Sequence, residues 1–281
     1  MKKLAAILLT ATVFATGAFA GNITVKGSDT LVILAQKWAE TYMGQHADTK
    51  IQVSGGGTGT GFAALQNQTT DLCDASRKIK PAELQKCVAV FGGARPTEYK
   101  VALDGLSVYV NAENPIKELS LDQLKSIFTG KVTNWKDLGG ADAPITVYSR
   151  ENSSGTYEFF KEHVLKGQDF AASAQTMPGT AAILQAVTKD KGGIGYGGAA
   201  YGAGAKHLLV KKEENSPAIE PTEETVLNGT YPIWRHLYVY VNPALDKGEI
   251  AAYLNWIRSD DGQKIVKEVG YYPLPKNLRS N

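Results

Sequence analysis

Short β-rich runs alternate with helical spacings along the chain, a pattern that predicts layered α/β structure. Ile23-Thr24-Val25-Lys26 reads as a strand that ends in Gly27-Ser28-Asp29-Thr30. Beyond it, Leu31, Leu34, Ala35, Trp38 and Tyr42 fall near helical spacing, and Ser28 or Asp29 is suited to cap that helix. Ile51-Gln52-Val53 is a second strand, and the loop from Gly55 to Gly61 leads into a short helix around 62–66. Pro81 opens a helix that carries Cys87, since proline is tolerated in a first turn. Ser120 precedes a helix over 121–128. Residues 145–148 form a strand, and Ser153-Ser154-Gly155-Thr156 precedes a helix running to about Leu165. The polar, acidic stretch from Lys211 to Glu224 reads as a surface loop.

Two segments resemble each other, Val108-Tyr109-Val110-Asn111 and Val239-Tyr240-Val241-Asn242, each with a proline (Pro115, Pro243) within four residues. If both are crossings between lobes, the chain builds one lobe from 21–109 and 241–281 and a second from 110–240, with a cleft between them. The length of 281 residues suits two compact lobes, because single cores stop growing at roughly 250–300 residues.

The first twenty residues change the reading of charge and compartment. Lys2 and Lys3, the apolar run from Leu4 to Phe14, and Ala18-Phe19-Ala20 make a secretory signal peptide with cleavage expected after Ala20. Its apolar core is too short to span a membrane, and no later run approaches the roughly 20 residues required. Without it, the net charge of +2 falls to formal neutrality, because two lysines and no acidic residue leave. A general nucleic-acid surface, which needs clustered excess Lys/Arg, loses its support. Cys73 and Cys87 are the only cysteines. Export favours oxidation, so a disulfide closing a short loop is expected. It would contribute about 3 kcal/mol if unstrained. A two-thiol metal site has neither Cys-x-x-Cys spacing nor a nearby His, and no metal or cofactor is expected.

Three loops of small residues stand before expected helices: Gly27–Thr30, Gly55–Gly61 and Ser153–Thr156. A helix N-terminus presents unpaired N–H groups and the positive end of a dipole, and Ser and Thr hydroxyls add donors. Arg150 lies four residues before Ser154 and offers a planar fork of donors. Converging, these loops suit one small oxyanion; separately, each merely caps its own helix. GGGTGTG satisfies neither G-x-G-x-x-G nor a Walker motif, and no G-x-S-x-G elbow is present. His46, His163, His207 and His236 are scattered, which leaves a secreted hydrolase as a remote alternative.

The segments KGSDTL, SGGGTGTGFAAL, DLCDASRKIKPAE, LKSIFTGKVTNWKDLGG, VYSRENSSGTYEFF, GGIGYGGAAY and YLNWIRSDDGQKIVKEVGYYPLP occur in order and at suitable spacing. Together they resemble the periplasmic phosphate-binding proteins of ABC phosphate importers, the PstS type, over nearly the whole mature chain. The resemblance implies a two-lobed type II periplasmic-binding-protein fold: two mixed sheets flanked by helices, two crossing strands and a ligand cleft between the lobes. It also implies a non-enzymatic monomer in the periplasm that binds inorganic phosphate and passes it to an ABC permease and its ATPase. Position by position, Arg150, Ser154, Gly155 and Thr156 match the family's arginine and helix-start ligands. Thr58 matches the hydroxyl of the glycine-rich loop, Ser28, Asp29 and Thr30 occupy the first loop, and Ser76 matches the serine of the third segment.

One position departs from the family pattern. The longer members carry an aspartate where this chain has Arg77. Phosphate near neutral pH keeps a proton that a carboxylate can accept, and a carboxylate repels fully ionised sulfate. Asp29 is therefore expected to accept that proton's hydrogen bond while Arg77 and Arg150 supply charge. Alternatively, Asp29 only caps its helix and Arg77 pairs with Asp74 or another carboxylate. Another oxyanion (sulfate, arsenate or molybdate) and a role as phosphate sensor or adhesin stay open as alternatives.

Overall fold

A computed structural model describes residues 21–202 and 205–279; the expected signal peptide and its cleavage after Ala20 lie outside the described residues. The chain begins β1 (Gly21–Gly27), α1 (Val32–Gln45), β2 (Thr49–Ser54), α2 (Thr58–Gln66), β3 (Leu72–Ala75), α3 (Pro81–Val90) and β4 (Thr97–Gly105). It continues β5 (Ser107–Val110), β6 (Glu118–Ser120), α4 (Leu121–Phe128), β7 (Thr146–Arg150), α5 (Gly155–His163), β8 (Gln175–Met177), α6 (Thr180–Lys189), β9 (Gly193–Gly197), β10 (Lys206–Lys211), β11 (Ala218–Ile219) and α7 (Glu223–Leu227). It closes with β12 (Trp234–Val241), α8 (Gly248–Arg258) and α9 (Asp260–Val269).

Two mixed sheets result, one ordered β2-β1-β3-β12-β4 and the other β11-β10-β5-β9-β7-β8, with β6 beside β10. In the first, β1 runs parallel to β2 and β3, with α1 and α2 as the crossovers that parallel pairing requires. Strand β12 then inserts antiparallel between β3 and β4. In the second, β7 runs parallel to both β8 and β9. We call the units around the two sheets the first and second lobes.

The chain passes between lobes at Leu106, where β4 leads directly into β5, and returns between α7 and β12. These passages lie side by side, since Leu106 N–H donates to Ile233 O at 2.9 Å and Gly105 pairs with Trp234. The boundaries thus differ from those expected: β5 belongs to the second sheet from Ser107, and residues 234–240, expected in the second lobe, form the body of β12 in the first sheet. The cause is that β12 is the antiparallel partner of β4 along its whole length, so its apolar residues complete the first core. The 211–224 stretch also contains β11, which pairs with β10.

Each sheet buries its own apolar face. Leu34, Trp38 and Tyr42 of α1 pack with Ile23 and Val25 of β1 and with Tyr253 and Leu254 of α8, and Trp38 Nε1–H donates to Gly262 O at 2.7 Å. Val108, Leu124, Phe128, Phe160 and Tyr196 centre the second core. Full burial of such side chains contributes about 1.5–3 kcal/mol each. The two sheets bring the carboxyl ends of β1, β2, β3, β7 and β9 to the cleft, where ligands of open α/β sheets bind.

Candidate functional site

The first turn after β1 does not cap α1. That helix starts at Val32 with Leu31 as N-cap and no side-chain cap bond. The Ser28, Asp29 and Thr30 side chains are directed into the cleft instead. Ser28 Oγ donates to Ser76 Oγ at 2.8 Å. Thr30 Oγ1 lies 2.8 Å from Thr156 Oγ1. Asp29 Oδ1 accepts the Gly56 N–H at 2.7 Å.

The glycine-rich loop folds back onto β1, with Gly57 N–H donating to Gly27 O at 2.9 Å. Gly57 has φ +94°, and a Cβ there would meet Ser153 O at 2.6 Å, so a side chain is doubly excluded. Thr58 begins α2 four residues before the expected start, is fully buried, and accepts the Ser76 N–H at 3.1 Å.

The second lobe supplies the opposite wall. Arg150 ends β7 and is 2% exposed. Its guanidinium donates across the cleft to Asp29 Oδ2 at 2.6 Å and, within its own lobe, to Thr180 Oγ1 at 3.1 Å. Ser154 caps α5, accepting the Tyr157 N–H at 3.3 Å, and keeps its hydroxyl hydrogen for another acceptor. Ser153 O accepts Gly59 N–H at 2.8 Å, a backbone bond between lobes. Gly155 faces the first lobe so closely that a Cβ would sit 2.4 Å from Thr58 Oγ1 and 2.6 Å from Ser76 Oγ. Tyr201, in the turn after β9, donates to Asp29 O at 2.6 Å; burial pushes its phenol up to about 12, which keeps it a donor.

Nine of the ten expected anion-site residues therefore meet in one cleft. Arg77 does not. Both its terminal nitrogens donate to Glu83, at 2.8 and 2.7 Å, and its guanidinium stacks over Phe62. Glu83 also accepts the Lys80 N–H at the start of α3, so this ion pair secures the 77–83 turn and commits Arg77 to Glu83, where it lines a neighbouring cavity with Phe159 and Arg235. The carboxylate partner is Glu83, not Asp74. Asp74 is buried, and desolvation pushes its carboxyl up to about 7.

The expected disulfide is not formed: Cys73 and Cys87 are both free and buried. They sit in an apolar cluster with Phe62, Leu65 and Tyr240, as small hydrophobes, and burial raises both thiols. Among the described residues, no group of His, Cys, Asp and Glu is arranged to hold a metal ion, and no helix is long and apolar enough to cross a membrane.

Sequence reasoning missed one buried pair. Arg235 of β12 and Asp104 of β4 are direct register partners, 4% and 0% exposed. Arg235 Nε and Nη2 donate to Asp104 Oδ2 at 2.9 and 2.8 Å, Nη1 donates to Ser76 O at 3.0 Å, and Nη2 also reaches Thr156 Oγ1 at 3.1 Å. Asp104 Oδ1 accepts Ala199 N–H from the second lobe at 3.0 Å. The available signal was a single charge of opposite sign in each of two apolar runs, VALDGLSVYV and WRHLYVYV, since a fully buried charge is almost always paired.

Residues 12–261 match the model of the PBP superfamily domain. The chain is 39% identical to the phosphate-binding protein PstS of Pseudomonas aeruginosa over 275 residues, covering 92% of this chain and 84% of that protein. A crystal structure with bound phosphate from Clostridium perfringens superposes with a TM-score of 0.83 at 29% identity, covering 91% of this chain and all of the other. An ABC-type phosphate transport receptor from Vibrio cholerae superposes with a TM-score of 0.71 at 26% identity, covering 90% of this chain and all of that one. The chain belongs to the periplasmic-binding-protein superfamily and, within it, to the family of PstS phosphate-binding proteins.

Proposed function

We propose that this protein captures inorganic phosphate in the cleft between its lobes and delivers it to a membrane permease driven by an ATPase. It acts in the periplasm after cleavage behind Ala20. The observation that carries the reading is the convergence at Gly155, where the α5 N-terminus and Arg150 from one lobe face the hydroxyls of Ser28, Thr30, Thr58 and Ser76 from the other.

The chemistry follows from what each group offers. Arg150 is buried and supplies a fixed positive charge, with Nη2 donating across the cleft to Asp29. The N–H groups of Gly155 and Thr156 at the start of α5 add donors and the positive end of a helix dipole. The hydroxyls of Ser28, Thr30, Thr58, Ser76, Ser154 and Thr156 rotate to donate to whichever anion oxygen faces them. Asp29 is the carboxylate that meets Arg150 across the cleft, while Glu151 of its own lobe lies 3.3 Å from Nε. Asp29 suits an anion that keeps a proton, because it accepts that proton's hydrogen bond, and it repels sulfate, which has none to give. With Arg77 held by Glu83, the charge comes from Arg150.

Binding and release are the whole step, with no covalent chemistry. The Ser154 hydroxyl accepts the Tyr157 N–H, and the ring nitrogens of His163 and His207 bond the backbone carbonyls of Phe159 and Gly202. Contacts from both lobes exist together only when the lobes are closed, so the anion shifts the population toward closure, the form a permease can distinguish. Titration calorimetry with phosphate, arsenate, sulfate and molybdate tests the reading. Heat with phosphate and none with sulfate is expected; binding only to sulfate or molybdate would overturn it.

A further inference from the structure

The buried Arg235–Asp104 pair lies where the two interlobe passages run side by side. Asp104 is the last residue but one of β4, and Arg235 the second of β12. An isolated buried ion pair is weak evidence for stability, because desolvation offsets its Coulomb gain. This pair is not isolated. Arg235 belongs to the first lobe, yet it holds a site residue of each lobe, the Ser76 carbonyl in its own and the Thr156 hydroxyl in the other. Its guanidinium lies 5.2 Å from the ring centroid of Phe159, one turn along α5, which fixes its plane. Asp104 reciprocates by accepting Ala199 N–H from the turn that also carries Tyr201.

Donor and acceptor polarity gives the contact to Thr156 a direction. A guanidinium only donates, so Thr156 Oγ1 must be the acceptor in that bond. The single hydroxyl hydrogen of Thr156 is then left to be donated elsewhere, and the neighbour on the cleft side is Thr30 Oγ1, 2.8 Å away. Without Arg235, nothing holds the Thr156 hydroxyl as an acceptor on that side, so it is free to turn its hydrogen away from the cleft and present only lone pairs to an anion. The fork thus does two things: it orients one anion donor, and it ties the start of α5 to the third segment of the opposite lobe.

We propose that Arg235, held by Asp104, is a positioning residue for anion capture, acting through Thr156 to present its hydroxyl as a donor and to register the two halves of the site. The proposal rests on the phosphate reading above.

Removing Arg235 alone would strand a buried carboxylate, so the test uses the neutral pair Arg235→Gln with Asp104→Asn, each in wild-type and Thr156→Val backgrounds. Phosphate affinity is read by calorimetry, and folding by a cooperative thermal melt. In the wild-type background the neutral pair should weaken phosphate binding at least tenfold. In the Thr156→Val background the same two changes should weaken it less than threefold, because the hydroxyl they orient is gone. Arg235→Lys, which keeps the charge but loses the fork, should fall with the neutral pair. Equal losses in both backgrounds, or native affinity in the neutral pair or in Arg235→Lys, would overturn the proposal while leaving the phosphate reading intact. Absence of phosphate binding by the wild-type protein would overturn both.

Discussion

Gly155 offers a sharp test of closure, because its substitution is harmless to each lobe and harmful between them. A Cβ at position 155 would lie 2.4 Å from Thr58 Oγ1 and 2.6 Å from Ser76 Oγ, both in the opposite lobe. Comfortable contact needs about 3.5 Å. Both hydroxyls are buried and already bonded to each other's segments, so they cannot swing aside cheaply. The lobes must therefore part by roughly 1 Å at this point. The 2.8 Å Thr30–Thr156 bond and the 2.6 Å Arg150–Asp29 bond would then stretch beyond hydrogen-bond range. A neutral bond contributes about 1 kcal/mol and a charged one about 2 kcal/mol, together about 3 kcal/mol. That corresponds to a Kd roughly a hundredfold weaker. Alanine also has the better helix propensity, so the melting temperature should not fall. Calorimetric titration of Gly155→Ala with phosphate, alongside a thermal melt, reads both quantities. A Kd within threefold of wild type would refute the closed geometry as the binding state.

Other positions give separate readouts. Arg77→Met should leave phosphate affinity within threefold of wild type, yet lower stability by about 1–3 kcal/mol, because Glu83 loses its bidentate partner; a large loss of affinity in the titration would return Arg77 to the site. Asp29→Asn should weaken phosphate at least tenfold and admit sulfate, and unchanged selectivity in competition titrations would remove Asp29 as the proton acceptor. Asp74 provides a pH test. Its folded value of about 7 stands above the usual value of about 4, so its contribution to stability is full below about pH 4 and is lost as pH rises through 7. Asp74→Asn should accordingly be more stable than wild type by about 2–4 kcal/mol at pH 8, with the gap closing at pH 4; denaturant melts at the two pH values check the sign.

Much of this molecule is legible in its sequence because local rules and tertiary outcome agree. Alternating Ile23 and Val25, the helical spacing of Leu34, Trp38 and Tyr42, and the Ser154 cap are short-range patterns, and each reappears as a buried face or a cap. Legibility fails where a side chain has two chemically reasonable partners. Ser28 and Asp29 look like caps of α1, but the cleft offers them Ser76, Gly56 and Arg150, and no α1 cap bond forms. Arg77 looks like an anion ligand until α3 brings Glu83 back over it. The lobe boundary was misplaced because four similar residues in β5 and β12 say nothing about which sheet each strand joins. Arg235 and Asp104 were invisible singly, since they are 131 residues apart and only antiparallel register makes them a pair.

The central claim is that a tetrahedral anion sits between Arg150, the start of α5 and the first-lobe hydroxyls. A crystal structure of the mature protein grown with phosphate tests it most directly. Density for one phosphate is predicted there, in contact with the Arg150 guanidinium and the Thr156 N–H, with Asp29 as its sole carboxylate neighbour and Arg77 still on Glu83. A cleft empty at saturating phosphate, or phosphate bound at Arg77 instead, would contradict the account.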